Sequence, residues 1–189
     1  MNIIPPSTLA RVGLMAALTA VGAFIRIPFP YVPVTLQVPC VCLAGAWLGP
    51  RYGALSQVVY LLAGLLGFPV FAHGGGPQYL LKPSFGYLAA FPLAAWSVGK
   101  IGRGAHSTPR AIIATISGLV VVYLVGTAGL YLNLRFLTGQ DISFAAVVRL
   151  GLLPLPKDLL LTLPVTVWVF RRREPGRSGR NTVRKCCCT

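Results

Sequence analysis

Apolar residues along this chain come in long runs, broken by basic residues, prolines and glycines. Six runs stand out, at residues 10–27, 34–48, 52–68, 85–99, 111–134 and 156–170. A helix that crosses the hydrocarbon core of a bilayer needs about 20 mostly apolar residues. Each run is therefore predicted to be a transmembrane helix, the fifth being the clearest and the fourth somewhat short. Arg11 and Arg26 mark the ends of the first run, and a proline-rich stretch from Pro28 to Pro33 opens the second. An apolar stretch from Ala145 is interrupted by Pro154 and Pro156. Proline cannot continue the helical ladder and restricts the residue before it, so the last helix is predicted to begin near Pro156. The pattern predicts an all-α integral membrane protein: one six-helix membrane domain over residues 1–170, then a basic tail over 171–189 without predicted order.

Composition agrees. Hydrophobic residues make up 55% of the 189, charged residues 11%, and the mean hydropathy is +0.72. Soluble domains carry about 25% charged residues, so lipid is the expected solvent for most of this surface. Six helices use nearly the whole length and leave no room for a soluble catalytic domain.

The formal charge of +14 comes from 17 Lys and Arg against three acids. Such a balance invites a nucleic-acid reading, but the positive charge lies in short connections and in the tail. It is read instead as a topology signal, with no nucleic-acid partner expected. With the N-terminus cytoplasmic, the inner set is Arg11, Arg51, Lys100, Arg103, Arg110 and seven tail residues, 12 of the 17. Both termini are therefore predicted to be cytoplasmic, in a multi-pass protein of the inner or plasma membrane. Cleavage of the first run as a signal peptide would leave five spans and spoil this asymmetry.

The outer connections differ from the short, basic inner ones. Residues 26–37 and 69–83 are rich in aromatics, Gly and Pro. Irregular backbone survives near hydrocarbon only where protein covers it or a cavity is lined, so one face is predicted to hold a small ligand.

Asp158 is the only acid in an apolar run, and Lys157 precedes it. Charges within a span cost about 2.5 to 3.5 kcal/mol on insertion scales and are functional candidates by default. A carboxylate there can accept from paired ligand N–H groups, and a lysine can meet a ligand carboxylate. The plainer alternative is that Asp158 caps its own helix start and Lys157 snorkels outward. Lys82 is a second candidate cation or an interface anchor. Tyr79, Phe85 and Tyr87 either contact a ligand or form an aromatic belt, and Gly74-Gly75-Gly76 either lets backbone approach a ligand or is a flexible loop.

In the first run, Gly13 with Ala17 and Ala16 with Ala20 form two small-xxx-small pairs. This spacing permits close helix contact in lipid, either within the bundle or with a partner. Cys40 and Cys42 read as core, and Cys186, Cys187 and Cys188 carry no assignment. No phosphate-cradling Walker loop exists, since Gly99-Lys100 is followed by Ile101. His73 and His106 show no metal-ligand spacing, and Asp158 has no second acid in a span for a catalytic dyad. No cofactor, metal or enzymatic activity is expected.

Several segments, taken in order and spacing, resemble the BioY family, the biotin-capturing components of energy-coupling-factor transporters. They are Pro33-Val34-Thr35-Leu36-Gln37, the stretch from Leu43 to Leu55 with Gly49-Pro50-Arg51-Tyr52-Gly53 at its centre, the stretch from Tyr60 to Ala72, and Pro83-Ser84-Phe85-Gly86-Tyr87-Leu88. The resemblance implies a six-helix capture subunit with an outward vitamin pocket, a transmembrane coupling partner and cytoplasmic ATPases. It places the pocket at Thr35, Gln37, Phe71, Gly74, Gly75, Tyr79, Lys82, Phe85, Tyr87, Lys157 and Asp158, and the coupling surface at Gly13, Ala16, Ala17 and Ala20. The family's lysine one turn after the last acid is replaced here by Leu161, so Lys157 and Lys82 stand as the alternative cations for the ligand carboxylate. A capture subunit for another vitamin, an intramembrane enzyme and a scaffold subunit are the rival readings.

Overall fold

A computed structural model describes residues 5–27, 33–104, 107–137 and 143–172. Seven α-helices follow in chain order: α1 (Pro6–Phe24), α2 (Gln37–Leu48), α3 (Pro50–Leu65), α4 (Phe85–Ile101), α5 (Thr108–Leu132), α6 (Phe144–Leu152) and α7 (Leu155–Arg172). The predicted runs correspond to α1 to α5 and α7. Two helical stretches, Pro6–Phe24 and Thr108–Phe136, are long and apolar enough to cross a membrane, and Gln37–Leu48 is a shorter apolar helix.

The structure adds features that the hydrophobic runs did not reveal. β1 (Arg26–Ile27) pairs antiparallel with β2 (Val34–Thr35), in the register Arg26 to Thr35 and Ile27 to Val34. Hydrophobicity carried the first and second runs through these residues, but their backbone groups are used across the ribbon, so α1 ends at Phe24 and α2 begins at Gln37. The apolar stretch before the last run forms α6, and the chain turns at Leu153–Pro154 before α7 resumes at Leu155. Pro6 and Pro50 open α1 and α3, at positions where a missing N–H costs nothing. α2 and α3 are separated by Gly49 alone, at φ 82°, a conformation that glycine adopts without a Cβ clash.

Around a hydrophobic core, many large apolar side chains face outward and several polar ones are buried. Leu66, Leu124, Phe136, Leu160 and Trp168 are exposed, while Gln37, Ser56, Gln57, Thr115, Asp158, Thr162 and Thr166 are buried. Exposed large apolar side chains and buried polar ones are the informative departures from the usual pattern. They fit a bundle that faces lipid.

The core lies between α4 and α5, with α2, α3 and α7 packed around them. Small residues allow the closest approach. A Cβ on Gly86 would lie 2.8 Å from the Cα of Gly129, so these two backbones touch with no side chain between them. In lipid such packing replaces the hydrophobic drive between helices. Replacing Gly129 with Leu is expected to destabilise the bundle by about 1–3 kcal/mol through overpacking, read as a lower thermal unfolding midpoint in detergent; Gly13→Leu, at an open position, serves as the control.

Candidate chamber at the head of the last helix

The start of α2, β2, the 71–84 connection, α4, α5 and the start of α7 enclose a chamber. Pro33, Thr35, Gln37, Tyr79, Ser84, Tyr87, Phe91, Tyr123 and Asp158 are among its walls, which leave a cavity of about 30 Å³. That is room for roughly two waters and lies below the about 300–1,000 Å³ of an open small-molecule site, whose mostly apolar lining with a few placed polar groups these walls share.

Asp158 is the charged wall residue, only 1% exposed. The Tyr123 hydroxyl on α5 donates to its Oδ2 at 2.6 Å, and the Lys157 ammonium lies 2.5 Å from Oδ1. Lys157 also donates to the Thr35 carbonyl, tying the head of α7 to β2. The capping alternative therefore does not describe this carboxylate: its partners are a side chain of α5 and its own neighbour. A charge this buried is tolerated only when paired and hydrogen-bonded. Tyr123 supplies the long-range half of that compensation.

A second polar unit starts at Thr35, next to the Lys157–Asp158 pair. The Thr35 hydroxyl donates to Gln37 Oε1 at 3.0 Å, Gln37 Nε2 donates to the Tyr60 hydroxyl at 2.5 Å, and that hydroxyl donates to the Val70 carbonyl at 3.1 Å. Tyr60 packs edge-on against Phe71 with ring centres 5.4 Å apart, and Phe71 meets Tyr79 at 4.6 Å. Pro92 lies inside α4, so the Leu88 carbonyl, in the chamber wall, lacks its usual helical amide donor.

Of the residues singled out in the sequence, Thr35, Gln37, Tyr79, Tyr87 and Asp158 line the chamber. Phe71 stands behind Tyr79, buried at 1%. Tyr87 is held from below, donating to the Gly151 carbonyl at 3.0 Å with Thr127 3.2 Å away. Gly74 and Gly75 shape the covering loop rather than its wall: Gly74 bridges to Phe71, and a Cβ on Gly75 would collide with the Phe68 carbonyl. Lys82 donates to the His73 carbonyl at 3.1 Å and sits 4.9 Å over the Tyr79 ring. Phe85 lines a separate groove with Lys82 and Asn133. Leu161 points away, into a groove against Leu36, Pro39 and Cys40.

Arg26, Lys82 and Lys157 bring positive charge close to the chamber, the first two beside His73 and Tyr79 and the third on the Thr35 carbonyl. Partial burial, with Arg26 and Lys82 nearby, holds His73 below the ordinary imidazole pKa. His73 is thus neutral at pH 7 and adds no fourth charge. Among the described residues no three His, Cys, Asp or Glu side chains gather as a metal site. His106, Asp141, the tail from residue 173 and the prolines at 28 and 30 lie outside the described residues.

On α1 the two small-residue pairs part company. Ala16 is buried in the core cluster and Ala20 packs against it, whereas Gly13 and Ala17 are exposed.

Sequence reasoning did not single out Tyr123, Tyr60 or Ser84. Tyr123 had one readable signal: it sits mid-way along the fifth run, where tyrosine is out of place, since the residue favours membrane interfaces. Tyr60 and Ser84 carried none beyond their place in the family-like segments.

The BioY family model matches residues 1–175. A probable biotin transporter BioY of Lysinibacillus sphaericus is 42% identical over 176 residues, covering 92% of this chain and 90% of that protein. The biotin transporter BioY of Thermotoga maritima is 40% identical over 119 residues, covering 62% of this chain and 70% of that protein. A crystal structure of the S-component for biotin from an energy-coupling-factor (ECF) type ABC transporter superposes with a TM-score of 0.76 at 26% identity, covering 92% of this chain and 96% of the other. The fold is thus that of an S-component, the membrane-embedded substrate-binding class of transporter subunit, and not of an enzyme. The chain belongs to the BioY family. That membership, with two helices apolar and long enough to cross, places it in a membrane.

Removing the Tyr123 hydroxyl isolates the compensation of Asp158. Tyr123→Phe is expected to lower stability by about 1.5–3 kcal/mol, the range for a hydrogen bond to a charged group. Tyr131→Phe, whose hydroxyl only meets the exposed Arg135, should change the unfolding midpoint far less.

Proposed function

We propose that this chain captures biotin at the outer face of a cell membrane and delivers it inward as the substrate-binding subunit of an ECF-type transporter. The observation that carries the reading is Asp158: a buried carboxylate, oriented by Tyr123 and Lys157, in the wall of a mostly apolar chamber of a BioY-family protein. An ionised carboxylate only accepts hydrogen bonds, and the ureido group of biotin offers two parallel N–H donors. The fused rings and aliphatic tail of biotin suit the aromatic and aliphatic walls. Its terminal carboxylate is anionic at neutral pH and suits this nearby positive charge, with Lys157 and Lys82 as the candidate cations.

Six spans with both termini cytoplasmic fit the charge bias, which leaves Arg11, Arg51, Lys100, Arg103 and Arg110 on one side. In this arrangement the chamber, β1–β2 and the 71–84 connection face outward. A transmembrane coupling protein and paired ATPases supply the energy, since the chain has no nucleotide-binding loop of its own. No bond in biotin is made or broken. Release inward requires that the reoriented protein bind biotin less tightly, because a coupled partner can shift an equilibrium only through differential affinity. Gly13 and Ala17, the open part of the small-residue stripe, are the proposed coupling contacts on α1.

Equilibrium binding of labelled biotin to the purified chain tests the reading. Asp158→Asn is expected to weaken binding by about a hundredfold, corresponding to the loss of one charge-assisted contact set, while Asp141→Asn leaves it unchanged. Failure of unlabelled biotin to compete at micromolar concentration, with another vitamin succeeding, would reject biotin as the cargo. For the partner surface, Ala17→Leu should preserve biotin affinity and reduce co-purification with the coupling protein and uptake into cells. Loss of binding in that variant would instead put the stripe in the service of the chamber.

A further inference from the structure

The face of α7 that carries Asp158 also carries a hydroxyl for which the site as described has no use. Four helical threonines are fully buried: Thr19, Thr115, Thr162 and Thr166. Three of them donate to the carbonyl one turn back, Thr19 to Met15 at 2.9 Å, Thr115 to Ala111 at 2.9 Å and Thr166 to Thr162 at 2.7 Å. This back-bond is the ordinary way for a helical threonine to satisfy its hydroxyl. Thr162 does not make it, and its Oγ1 has no other partner among the described residues.

In a bundle surrounded by lipid, bulk water does not complete such a group. A buried hydroxyl left unpaired costs about 1–3 kcal/mol. Ordered water is the usual remedy, and one such molecule makes about three hydrogen bonds.

A partner for that water lies one turn above. Residues four apart share a helix face, with about 5–6 Å between Cβ atoms, and helical side chains lean toward the N-terminus. The Thr162 hydroxyl therefore leans toward Asp158. Asp158 Oδ1 meets the Lys157 ammonium at 2.5 Å, and a carboxylate oxygen has room to accept a second hydrogen bond. One turn below, Thr166 is already paired with Thr115 at 2.7 Å, so of the two threonines on α7 only Thr162 has a hydroxyl without a partner among the described residues.

We propose that Thr162 is a positioning residue for the vitamin: with Asp158 Oδ1 it holds a buried water beneath the chamber, and that water fixes the carboxylate in the orientation the ligand's N–H groups require. The inference rests on the reading of Asp158 as the acceptor of the ureido group. Oδ2 is set by Tyr123 from the side and Oδ1 by the water from below. Rotation of the carboxylate then breaks both contacts at once.

Biotin affinity of the purified full-length chain is the readout. Thr162→Val, which keeps the shape and removes the hydroxyl, is expected to weaken binding about five- to tenfold, the scale of one hydrogen bond. Thr162→Ser should restore wild-type affinity. In an Asp158→Asn background, Thr162→Val should cost less than about twofold, because the carboxylate it positions is gone. Wild-type affinity in Thr162→Val, equal weakening by Ser and Val, or full additivity with Asp158→Asn would each overturn the proposal. A crystal structure of the unsubstituted protein that resolves ordered solvent provides a test independent of variant folding: a water within hydrogen-bond distance of Thr162 Oγ1 and Asp158 Oδ1 supports the proposal, and a dry contact ends it. Failure of the unsubstituted chain to bind biotin would instead strike at the functional reading on which this one stands.

Discussion

A carboxylate held away from water in a bundle with an apolar exterior has to be met from several directions at once, and the elements around Asp158 are arranged to do this. Tyr123 reaches it from the middle of the longest helix, and Lys157 joins it to the carbonyl of Thr35 on the ribbon. Those bonds connect α5, α7 and β2 at a single point. The turn between α6 and α7 has the same effect, because it brings a helix start, with its unpaired N–H groups and favourable dipole for an anion, into the bundle rather than leaving it at the membrane edge. Broken helices of this sort are found in membranes where they line a cavity.

The adjoining wall is organised by neutral bonds. Gln37 and Tyr60 satisfy each other and reach Val70, while Phe71 and Tyr79 of the covering connection meet at a tilt. The chamber wall thus joins one ion-paired carboxylate to a neutral network through Thr35, whose carbonyl meets Lys157 and whose hydroxyl meets Gln37.

Much of this was legible in the linear sequence, for a definable reason. Helices in lipid must satisfy their backbone internally, so long apolar runs and basic breaks report directly on elements, and the single acid in a run marked the site. Asp158, Tyr79 and Tyr87 were reachable by that route, whereas Thr35 and Gln37 came only from the resemblance to the BioY family. What was not legible depends on partners distant in sequence. The ribbon at Arg26–Ile27 and Val34–Thr35 is hidden at the edges of the apolar runs, because two residues per strand are too few to show an alternating pattern. Tyr123 acquires its role only when α5 packs on α7, 35 positions away. Likewise, spacing alone could not divide the stripe on α1 into Ala16, turned inward, and Gly13 with Ala17, turned outward.

Gly49 joins α2 to α3 as a corner of one residue, while Gln37 at the far end of α2 is tied to Tyr60 on α3. Two rods fixed at a vertex and strapped together near their open ends form a triangle, and a triangle cannot shear without breaking a side. The pair is therefore a stiff wedge. Whatever displacement accompanies loading or unloading is transmitted by this wedge as a whole-body tilt, with its compliance relegated to the connections that flank it.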